Sequence, residues 1–405
     1  MHILWLKTEL LHPIDKGGKI RTYNMLKHLK DEHRVTYLTL DDGVSDHDAD
    51  AKAVEYCHEL IRIPHQTRQK FTPGFYVELA QNLFSPFPYA VKKYESKPMR
   101  EAILKTLAKG DVDVLVCDFL APALNVPLDI SPASALFQHN VEAIIWKRHY
   151  ETQTDSAKRA FLKREWRKMT KFEERMCRQF DCVIAVSAED RDLMRTEYGV
   201  TRVESVPTGV DTEYFKPQGE IKPGTYDLVF TGSMDWLPNE DGIRYFTESV
   251  LPLIRQSIPA VRLTVVGRNP SKSLVELSQR DPSIIVTGRV DDVRGYIEQA
   301  VAYIVPLRIG GGTRLKIYEA MAMEKPIVST TVGAEGLPVE DGSDIILADT
   351  AETFAAGVVK LLSDPQLARE IGLRAAQKVR EQFGWKQVAR NFAELCEEAI
   401  KRKTV

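Results

Sequence analysis

Cysteine is scarce in this chain of 405 residues. The five cysteines are scattered and form no Cys-x-x-Cys pair, and the nine histidines form no ligand cluster. An odd number of dispersed thiols predicts neither a disulfide framework nor a zinc site. We therefore expect buried free thiols and no structural metal.

Long apolar runs and a large excess of either charge are also missing. No apolar run approaches the roughly 20 residues that a membrane-spanning helix needs, and Met1–Lys7 has the pattern of a short strand rather than of a secretory signal. The net charge of -2 gives no general case for nucleic-acid binding. We expect a soluble cytoplasmic protein without a nucleic-acid partner, with peripheral membrane contact as an open alternative.

Short apolar runs alternate with longer amphipathic stretches along the chain. This alternation is typical of parallel sheets covered by helices on both faces, and the length suffices for two domains. We predict an α/β protein with two Rossmann-like, doubly wound parallel sheets. The runs predicted as strands are Ile3–Leu6, Val35–Leu40, Leu60–Ile63, Val114–Cys117, Ala135–Gln138, Val183–Val186, Val203–Val206, Leu228–Thr231, Leu263–Val266, Ile284–Thr287, Ala302–Val305, Ile327–Ser329 and Ile345–Leu347.

A turn-rich segment from Pro207 to Gly224 separates the two series of strands and suits a linker. We predict a first domain over 1–206, a second over 207–385 and a final helix over 386–405. Ligands of open parallel sheets bind at the carboxyl ends of the strands, so we expect the chemistry in a cleft between the two domains.

The most informative stretch is the glycine-rich turn after the predicted strand Ala302–Val305. It leads into a helix and contains, in order, Gly311, Gly312, Thr313, Arg314, Leu315, Lys316 and Glu319. Free amides at a helix start favour anions, although glycines also suit a simple tight turn. Arg314 and Lys316 can meet a diphosphate, and Glu319 can accept hydrogen bonds from ribose hydroxyls. The pattern favours a nucleotide sugar over a bare nucleotide.

Two loops of the first half follow predicted strands in a similar way. Gly17-Gly18 opens a helix and either approaches phosphate or sugar closely or serves only as a turn. His139 follows the strand Ala135–Gln138, where it is either a contact for a sugar hydroxyl near the reacting carbon or a hydrogen-bonded structural histidine.

Two loops of the second half also follow predicted strands. The amides and hydroxyl of Gly232-Ser233 can contact phosphate, and the backbone of Arg289-Val290 can lie beside a nucleobase. After the first of these loops we expect Trp236 to pack and Asn239 to cap a helix, in preference to base stacking and ligand binding.

Residues 158–171 form a basic amphipathic stretch with one acid, Glu165. Such a helix can lie on an anionic membrane surface, and a solvated helix packed on the first sheet explains the same pattern. Phe71–Tyr94, rich in proline and aromatic residues, is expected to be a mobile acceptor loop.

Together these motifs resemble those of GT-B-fold retaining glycosyltransferases of family 4 (group 1), over almost the whole chain. The resemblance implies a nucleotide-diphosphate sugar as donor, bound mainly by the second domain, with no cofactor beyond it. It also implies a glycan or lipid-linked acceptor on the first domain and a last helix that crosses back to that domain. The motifs that carry it are Lys16-Gly17-Gly18, His139-Asn140, Val206–Asp211, Val265–Gly267, Thr287-Gly288 and Glu319–Val328.

The resemblance also implies roles for single residues. Glu319 matches the glutamate that binds ribose, Gly18 matches a phosphate-facing amide, and Arg289-Val290 matches the turn that contacts the base. His139 matches a histidine close to the donor sugar and the transfer centre. The fold needs no Asp-x-Asp metal site, and Asp111-Val112-Asp113 precedes a predicted strand instead of following one, which favours a solvated turn.

The chain departs from the family pattern around the donor. Gly311 stands where a glutamate is usual, Ser233 where an arginine is common, and Asn239 where a lysine is common. We infer that Arg314 and Lys316 replace the lost positive charges and stabilise the departing diphosphate. With His139 they are the predicted catalytic residues of a retaining hexosyltransferase, expected to act in surface or exopolysaccharide synthesis. A GT-B-fold epimerase or phosphorylase, or a binding module without catalysis, remains an alternative.

Overall fold

The computed structural model describes residues 1–14, 17–43, 48–127, 129–219, 227–309 and 315–404. The chain forms two compact units. The first comprises Met1–Pro207 and Val388–Val405, and the second comprises Thr208–Gln387. In the described ranges no helix combines the length and the apolar character that crossing a bilayer requires. All five cysteines are buried free thiols, which confirms that prediction.

The first unit is built on a seven-stranded parallel sheet. Its strands are β1 (His2–Lys7), β2 (Arg34–Asp41), β3 (Glu59–Pro64), β4 (Val114–Asp118), β5 (Ala133–Gln138), β6 (Cys182–Ala185) and β7 (Val203–Ser205). Their spatial order is β3-β2-β1-β4-β5-β6-β7, so the order reverses between β1 and β4. Ligands of doubly wound sheets bind at the carboxyl ends of the strands beside such a reversal.

Eight helices of the first unit, with a short 3₁₀ turn at Ala121–Asn125, connect these strands. They are α1 (Gly17–Glu32), α2 (Ala49–Ala53), α3 (Pro73–Asn82), α4 (Tyr89–Lys92), α5 (Lys97–Leu107), α6 (Glu142–Thr152), α7 (Ser156–Gln179) and α8 (Ala188–Tyr198). The expectation of a loop over Phe71–Tyr94 is wrong, because this stretch contains α3 and α4. Thr72 caps α3 by accepting a hydrogen bond from the amide of Phe75 at 3.3 Å, and Pro73 suits the first helical position.

The second unit is built on a six-stranded parallel sheet. Its strands are β8 (Asp227–Thr231), β9 (Arg262–Val266), β10 (Ile284–Gly288), β11 (Ala302–Val305), β12 (Ile327–Ser329) and β13 (Ile346–Leu347). Their order is β10-β9-β8-β11-β12-β13, with the reversal between β8 and β11. All thirteen predicted runs are strands, and the prediction of two doubly wound sheets is confirmed.

Helices of the second unit lie between its strands and follow the last one. They are α9 (Leu237–Tyr245), α10 (Leu251–Ser257), α11 (Lys272–Arg280), α12 (Arg294–Gln299), α13 (Leu315–Ala322), α14 (Ala351–Ser363), α15 (Pro365–Gln382) and the start of α16 (Trp385–Thr404). A π-helical turn, Phe246–Val250, joins α9 to α10. From Val388 onward α16 belongs to the first unit, where the ring of Phe392 lies 5.4 Å from Trp5 and 5.0 Å from Phe137. These aromatic contacts attach the end of the chain to the first sheet.

Candidate active site

The loops at the reversal of the second sheet bring three predicted positions together. Gly232 follows β8, and Lys316 lies in the first turn of α13, which follows β11. The Lys316 ammonium is 2.8 Å from Asn239 Oδ1 and 4.1 Å from the centre of the Phe230 ring. A Cβ atom added to Gly232 would lie 2.7 Å from both Lys316 Nζ and Asn239 Nδ2. A larger residue at position 232 would therefore have to displace the Lys316 ammonium or the Asn239 amide.

Asn239 acts differently from the expected helix cap. Helix α9 begins at Leu237, three residues earlier than a cap at Asn239 requires, so that prediction is wrong. The buried Asn239 side chain instead donates to the Ser233 carbonyl at 2.8 Å and accepts from Lys316. Trp236, expected to pack, is 41% exposed. Asn239 thus fixes the β8 loop and the Lys316 head group to each other.

A second cation, Arg268, lies beside the same loop and was not predicted. Its Nε donates to the Ser233 hydroxyl at 2.7 Å, and that hydroxyl donates to Asp235 at 2.6 Å. Arg268 follows β9, the strand next to β8, so both loops leave the same edge of the sheet. Arg268 directly follows the motif Val265–Gly267, and this position in the sequence is the signal that could have identified it. In this arrangement the Ser233 hydroxyl therefore donates its one proton to Asp235.

Glu319 lies one turn beyond Lys316 on α13 and is partly buried. Burial raises the pKa of Glu319 to about 7, and the positive charge of Lys316 acts in the opposite direction. Near neutral pH this carboxyl group is therefore poised between its two protonation states. A carboxylate at this place accepts hydrogen bonds, which is the chemistry that ribose hydroxyls require.

Other predicted donor-site residues are placed as follows. Leu315 is the first residue of α13, and Arg289-Val290 follows β10 at the same edge of the sheet as the β8 loop. Arg289 is exposed and Val290 is partly buried. Four predicted residues, Gly311, Gly312, Thr313 and Arg314, lie outside the described residues.

The first unit carries a buried polar network at its own reversal, and sequence reasoning missed most of it. Asp118, at the end of β4, accepts hydrogen bonds from Trp5 Nε1 at 2.9 Å, Lys7 Nζ at 2.8 Å and Thr22 Oγ1 at 2.6 Å. Lys7 and Asp118 are fully buried. Burial alone would raise the pKa of Asp118, but Lys7 and His139 lower it below its ordinary value. Asp118 is therefore a carboxylate that holds several elements together.

His139 belongs to this network. Its Nε2 lies 2.7 Å from Asp118 Oδ1, and Arg21 donates to its Nδ1 at 2.9 Å. Arginine has no acceptor, so Nδ1 must be the unprotonated nitrogen and Nε2 carries the proton toward Asp118. Burial lowers the pKa of His139 to about 3, with Asp118 opposing this shift. The imidazole is neutral near pH 7, and protein groups contact both of its nitrogens.

Gly17 and Gly18 form the first turn of α1, and they differ in the space around them. A Cβ atom on Gly18 would approach Phe119 Cζ to 2.9 Å, whereas nothing lies within 4 Å of one on Gly17. The Phe119 ring also stacks on His139, with the ring centroids 3.7 Å apart. Gly18 therefore leaves room for the ring of Phe119.

The basic stretch 158–171 forms part of α7, and two of its charged residues point inward. Glu165 is fully buried, where it accepts from the amide of Tyr89 at 2.6 Å and pairs with Lys168 at 3.1 Å. Lys168 also donates to the carbonyl of Asn82 at 2.6 Å, and Arg164 donates to the carbonyl of Leu83. Cations of α7 thus bind the carboxyl end of α3, a favourable place for positive charge.

Comparisons with known proteins cover most of the chain. Residues 16–214 match the model described as Glycosyltransferase Family 4, and residues 225–364 match the model described as Glycosyl transferases group 1. A Klebsiella pneumoniae protein, called an uncharacterized 44.6 kDa protein in cps region, is 21% identical over 258 residues. That match covers 62% of this chain and 65% of the relative, just under two thirds of its length.

Two solved structures share the fold. Sucrose-phosphate synthase from Thermosynechococcus elongatus has a TM-score of 0.68 and 17% identity, and the match covers 99% of both chains. Anabaena Alr3699/HepE in complex with UDP has a TM-score of 0.67 and 14% identity, covering 98% of this chain and all of that one. At these identities the likeness shows that the chain shares the GT-B fold, and it shows nothing beyond the fold.

Proposed function

The chain belongs to the group 1, family 4 glycosyltransferases, and we propose that it transfers a hexosyl group, with retention, from a nucleotide-diphosphate sugar to a glycan or lipid-linked acceptor. The observation that carries the proposal is the Lys316 ammonium against Gly232 and Asn239, at the reversal of the second sheet. Ligands of such sheets bind at that edge. A preorganised ammonium there stabilises the charge that grows on a departing diphosphate.

In this proposal, different loops of the second unit bind different parts of the donor. Lys316 receives the diphosphate, Glu319 binds the ribose hydroxyls, and Arg289-Val290 lies beside the base. Arg314 and the glycines before it extend the diphosphate site. The bound UDP of the related-fold Anabaena protein supports a nucleotide as ligand.

In this proposal the first unit binds the acceptor. His139 and the Gly17-Gly18 turn contact the donor sugar or its phosphates. The Nδ1 of His139 accepts from Arg21 and its Nε2–H is directed at Asp118, so in this arrangement the imidazole does not act as a general base. Its contribution is to position the sugar against a fixed, neutral ring.

The function is tested in two steps. A thermal-shift screen with UDP, GDP and ADP identifies the base, since a ligand at a hundredfold excess over Kd raises the unfolding free energy by about 2.7 kcal/mol. Transfer or donor hydrolysis is then measured with the matching sugar nucleotides in EDTA. We expect activity in the chelator, because protein cations serve the leaving group. Loss of turnover in EDTA that a divalent ion restores contradicts the metal-independent mechanism, and binding without any transfer identifies a binding module.

Glu319→Gln is expected to weaken nucleotide binding, because an amide accepts hydrogen bonds from ribose less strongly than a carboxylate. The pKa of about 7 adds a pH signature. The carboxylate form is populated above that pKa, so wild-type affinity should rise as pH increases through about 7, by at most about tenfold. Titration of the best-binding nucleoside diphosphate across this range tests both statements. The same pH profile in Glu319→Gln assigns the effect to another group.

We also propose that the protein acts in surface or exopolysaccharide synthesis and contacts the membrane peripherally. Helix α3 and its flanks expose large apolar side chains, including Phe71 at 80% and Phe84 at 91%. The neighbouring α7 supplies exposed cations; of its three acids, Glu165 and Glu173 are fully buried and Glu174 pairs with Arg178 at 2.8 Å. Apolar side chains beside a basic helix suit an anionic lipid surface.

The double variant Phe71→Ser/Phe84→Ser is expected to lower the affinity for anionic vesicles by about tenfold or more, from the lost burial of two aromatic rings in lipid. Co-sedimentation with phosphatidylglycerol and phosphatidylcholine vesicles measures this. Both rings are exposed, so the fold should be unaffected. Leu373→Ser, an exposed apolar residue of the second unit, is the matched control. Equal sedimentation of the wild type, the double variant and Leu373→Ser would show that α3 does not contact the membrane.

A further inference from the structure

The first unit contains a cavity of about 180 Å³ beside the reversal between β1 and β4. That volume has room for about six water molecules, enough for a single sugar ring. Apolar side chains of α4 and α7 form part of its wall. The polar and aromatic lining consists of Lys7, Thr8, Glu9, Tyr94, Phe119 and Glu142.

Phe119 is held in this wall at a conformational cost. Its φ of 70° lies in the left-handed region, which is unfavourable for a bulky residue. Its ring is clamped between His139, stacked at 3.7 Å, and the Lys7 ammonium, 4.4 Å from the ring centre. Strained residues of this kind cluster at ligand sites, and this one forms a fixed part of the cavity wall.

Glu142 is the second fixed element of the wall. Its backbone amide, with that of Ala143, donates to the buried carboxylate of Glu173 at 2.8 and 2.9 Å. This cap fixes the first turn of α6, and with it the place of the Glu142 side chain. Burial raises the pKa of Glu142, and a hydrogen bond from Asn140 opposes the shift. Its carboxyl group is therefore only partly solvated beside the cavity.

The charge of the lining selects against anions. Two carboxyl groups, Glu9 and Glu142, contribute to it, and Glu9 lies 3.9 Å from the Lys19 ammonium. Lys7, the cation in this lining, is neutralised by Asp118 at 2.8 Å. A phosphate or carboxylate placed here would therefore be repelled chiefly by the carboxylate of Glu142. Hydroxyl groups, by contrast, donate readily to carboxylates.

We propose that this cavity binds one neutral, polyhydroxylated sugar ring of the acceptor, with Phe119 as a fixed part of its wall and Glu142 as the group that selects the ring by accepting hydrogen bonds from its hydroxyls. This inference rests on the proposed transferase function and names the chemical class of its acceptor. It places the selection against anionic sugars on Glu142.

The experiment measures binding of small probes to the full chain with its preferred nucleoside diphosphate present. The probes are methyl α-D-glucopyranoside, methyl α-D-galactopyranoside, methyl α-D-mannopyranoside and D-glucuronate, followed by saturation-transfer NMR. We expect at least one neutral glycoside to bind and glucuronate not to bind. In Glu142→Gln the affinity for that glycoside should fall about tenfold or more, the effect of a hydrogen bond to a charged group, and glucuronate should gain affinity.

Glu151→Gln, on the exposed part of the same helix, is the matched control and should leave every affinity unchanged. The nucleoside-diphosphate thermal shift reports separately on the second unit, and its retention in Glu142→Gln shows that the variant is folded. Glucuronate binding as well as the glycosides, no glycoside binding at all, or equal glycoside affinity in Glu142→Gln and wild type would each overturn the acceptor-ring assignment. A missing thermal shift in the wild type would instead refute the transferase proposal.

Discussion

Replacing Lys316 with alanine is expected to lower the rate of sugar transfer at saturating donor by about 10²-fold or more, because the departing diphosphate loses a preorganised cation. The ammonium lies beside the carboxyl ends of the strands of the second sheet. It is 2.8 Å from Asn239 and lies against the backbone of Gly232. Its charge matters most when negative charge grows on the leaving oxygen. The effect should therefore appear mainly in kcat, measured with the best donor among UDP-, GDP- and ADP-sugars.

Two controls separate this role from a structural one. Lys316→Arg keeps the charge and should retain much more activity than the alanine variant, whereas Lys272→Ala removes an exposed lysine at the start of α11 and should change nothing. The alanine variant also deprives Asn239 of a hydrogen bond, which costs about 1 kcal/mol of stability. A preserved thermal shift with nucleoside diphosphate shows that the donor site is still formed. Equal losses in Lys316→Ala and Lys316→Arg would assign this lysine a packing role.

Most of the fold could be predicted because strands of a parallel sheet are buried on both faces. Such strands appear in the sequence as short continuous apolar runs, as in Leu228–Thr231, and their shortness and their β-branched and aromatic residues distinguish them from helices. Helix starts were harder to locate. The start of α9 at Leu237 depends on Pro238 in its first turn, and the polar Asn239 behind it resembled a cap. Tertiary contacts with Ser233 and Lys316 decide its role.

The residues of the candidate site could likewise be predicted only in part. Lys316 and Glu319 could be predicted, because glycines, cations and a carboxylate occur together in one short stretch. Asp118 could not, since its partner Lys7 is 111 positions away and a lysine in an apolar strand has no local signal. Arg268 was missed for a similar reason. Its neighbour Ser233 becomes adjacent only when β8 and β9 pair.

Asp118→Ala is expected to destabilise the region around β1 and β4 by about 3 to 5 kcal/mol, because it leaves the fully buried Lys7 ammonium without its counter-charge. The change also removes the acceptor of Trp5 and Thr22. Native-state hydrogen exchange of peptides from β1 and β4 measures the local free energy of opening, which suits a chain of two units. Asp111→Ala is the control, since Asp111 pairs with Arg34 at the surface and should cost about 1 kcal/mol or less.

A paired replacement shows whether charge or packing dominates this network. In Lys7→Met/Asp118→Leu both buried charges are absent, and apolar pairs of similar volume often stabilise as well as the ion pair they replace. We therefore expect the double variant to regain much of the stability that Asp118→Ala loses, while the Nε2–H of His139 loses its partner. Sugar transfer should remain impaired, because the tautomer and orientation of His139 are no longer fixed. A fully active double variant would show that Asp118 has only a structural role.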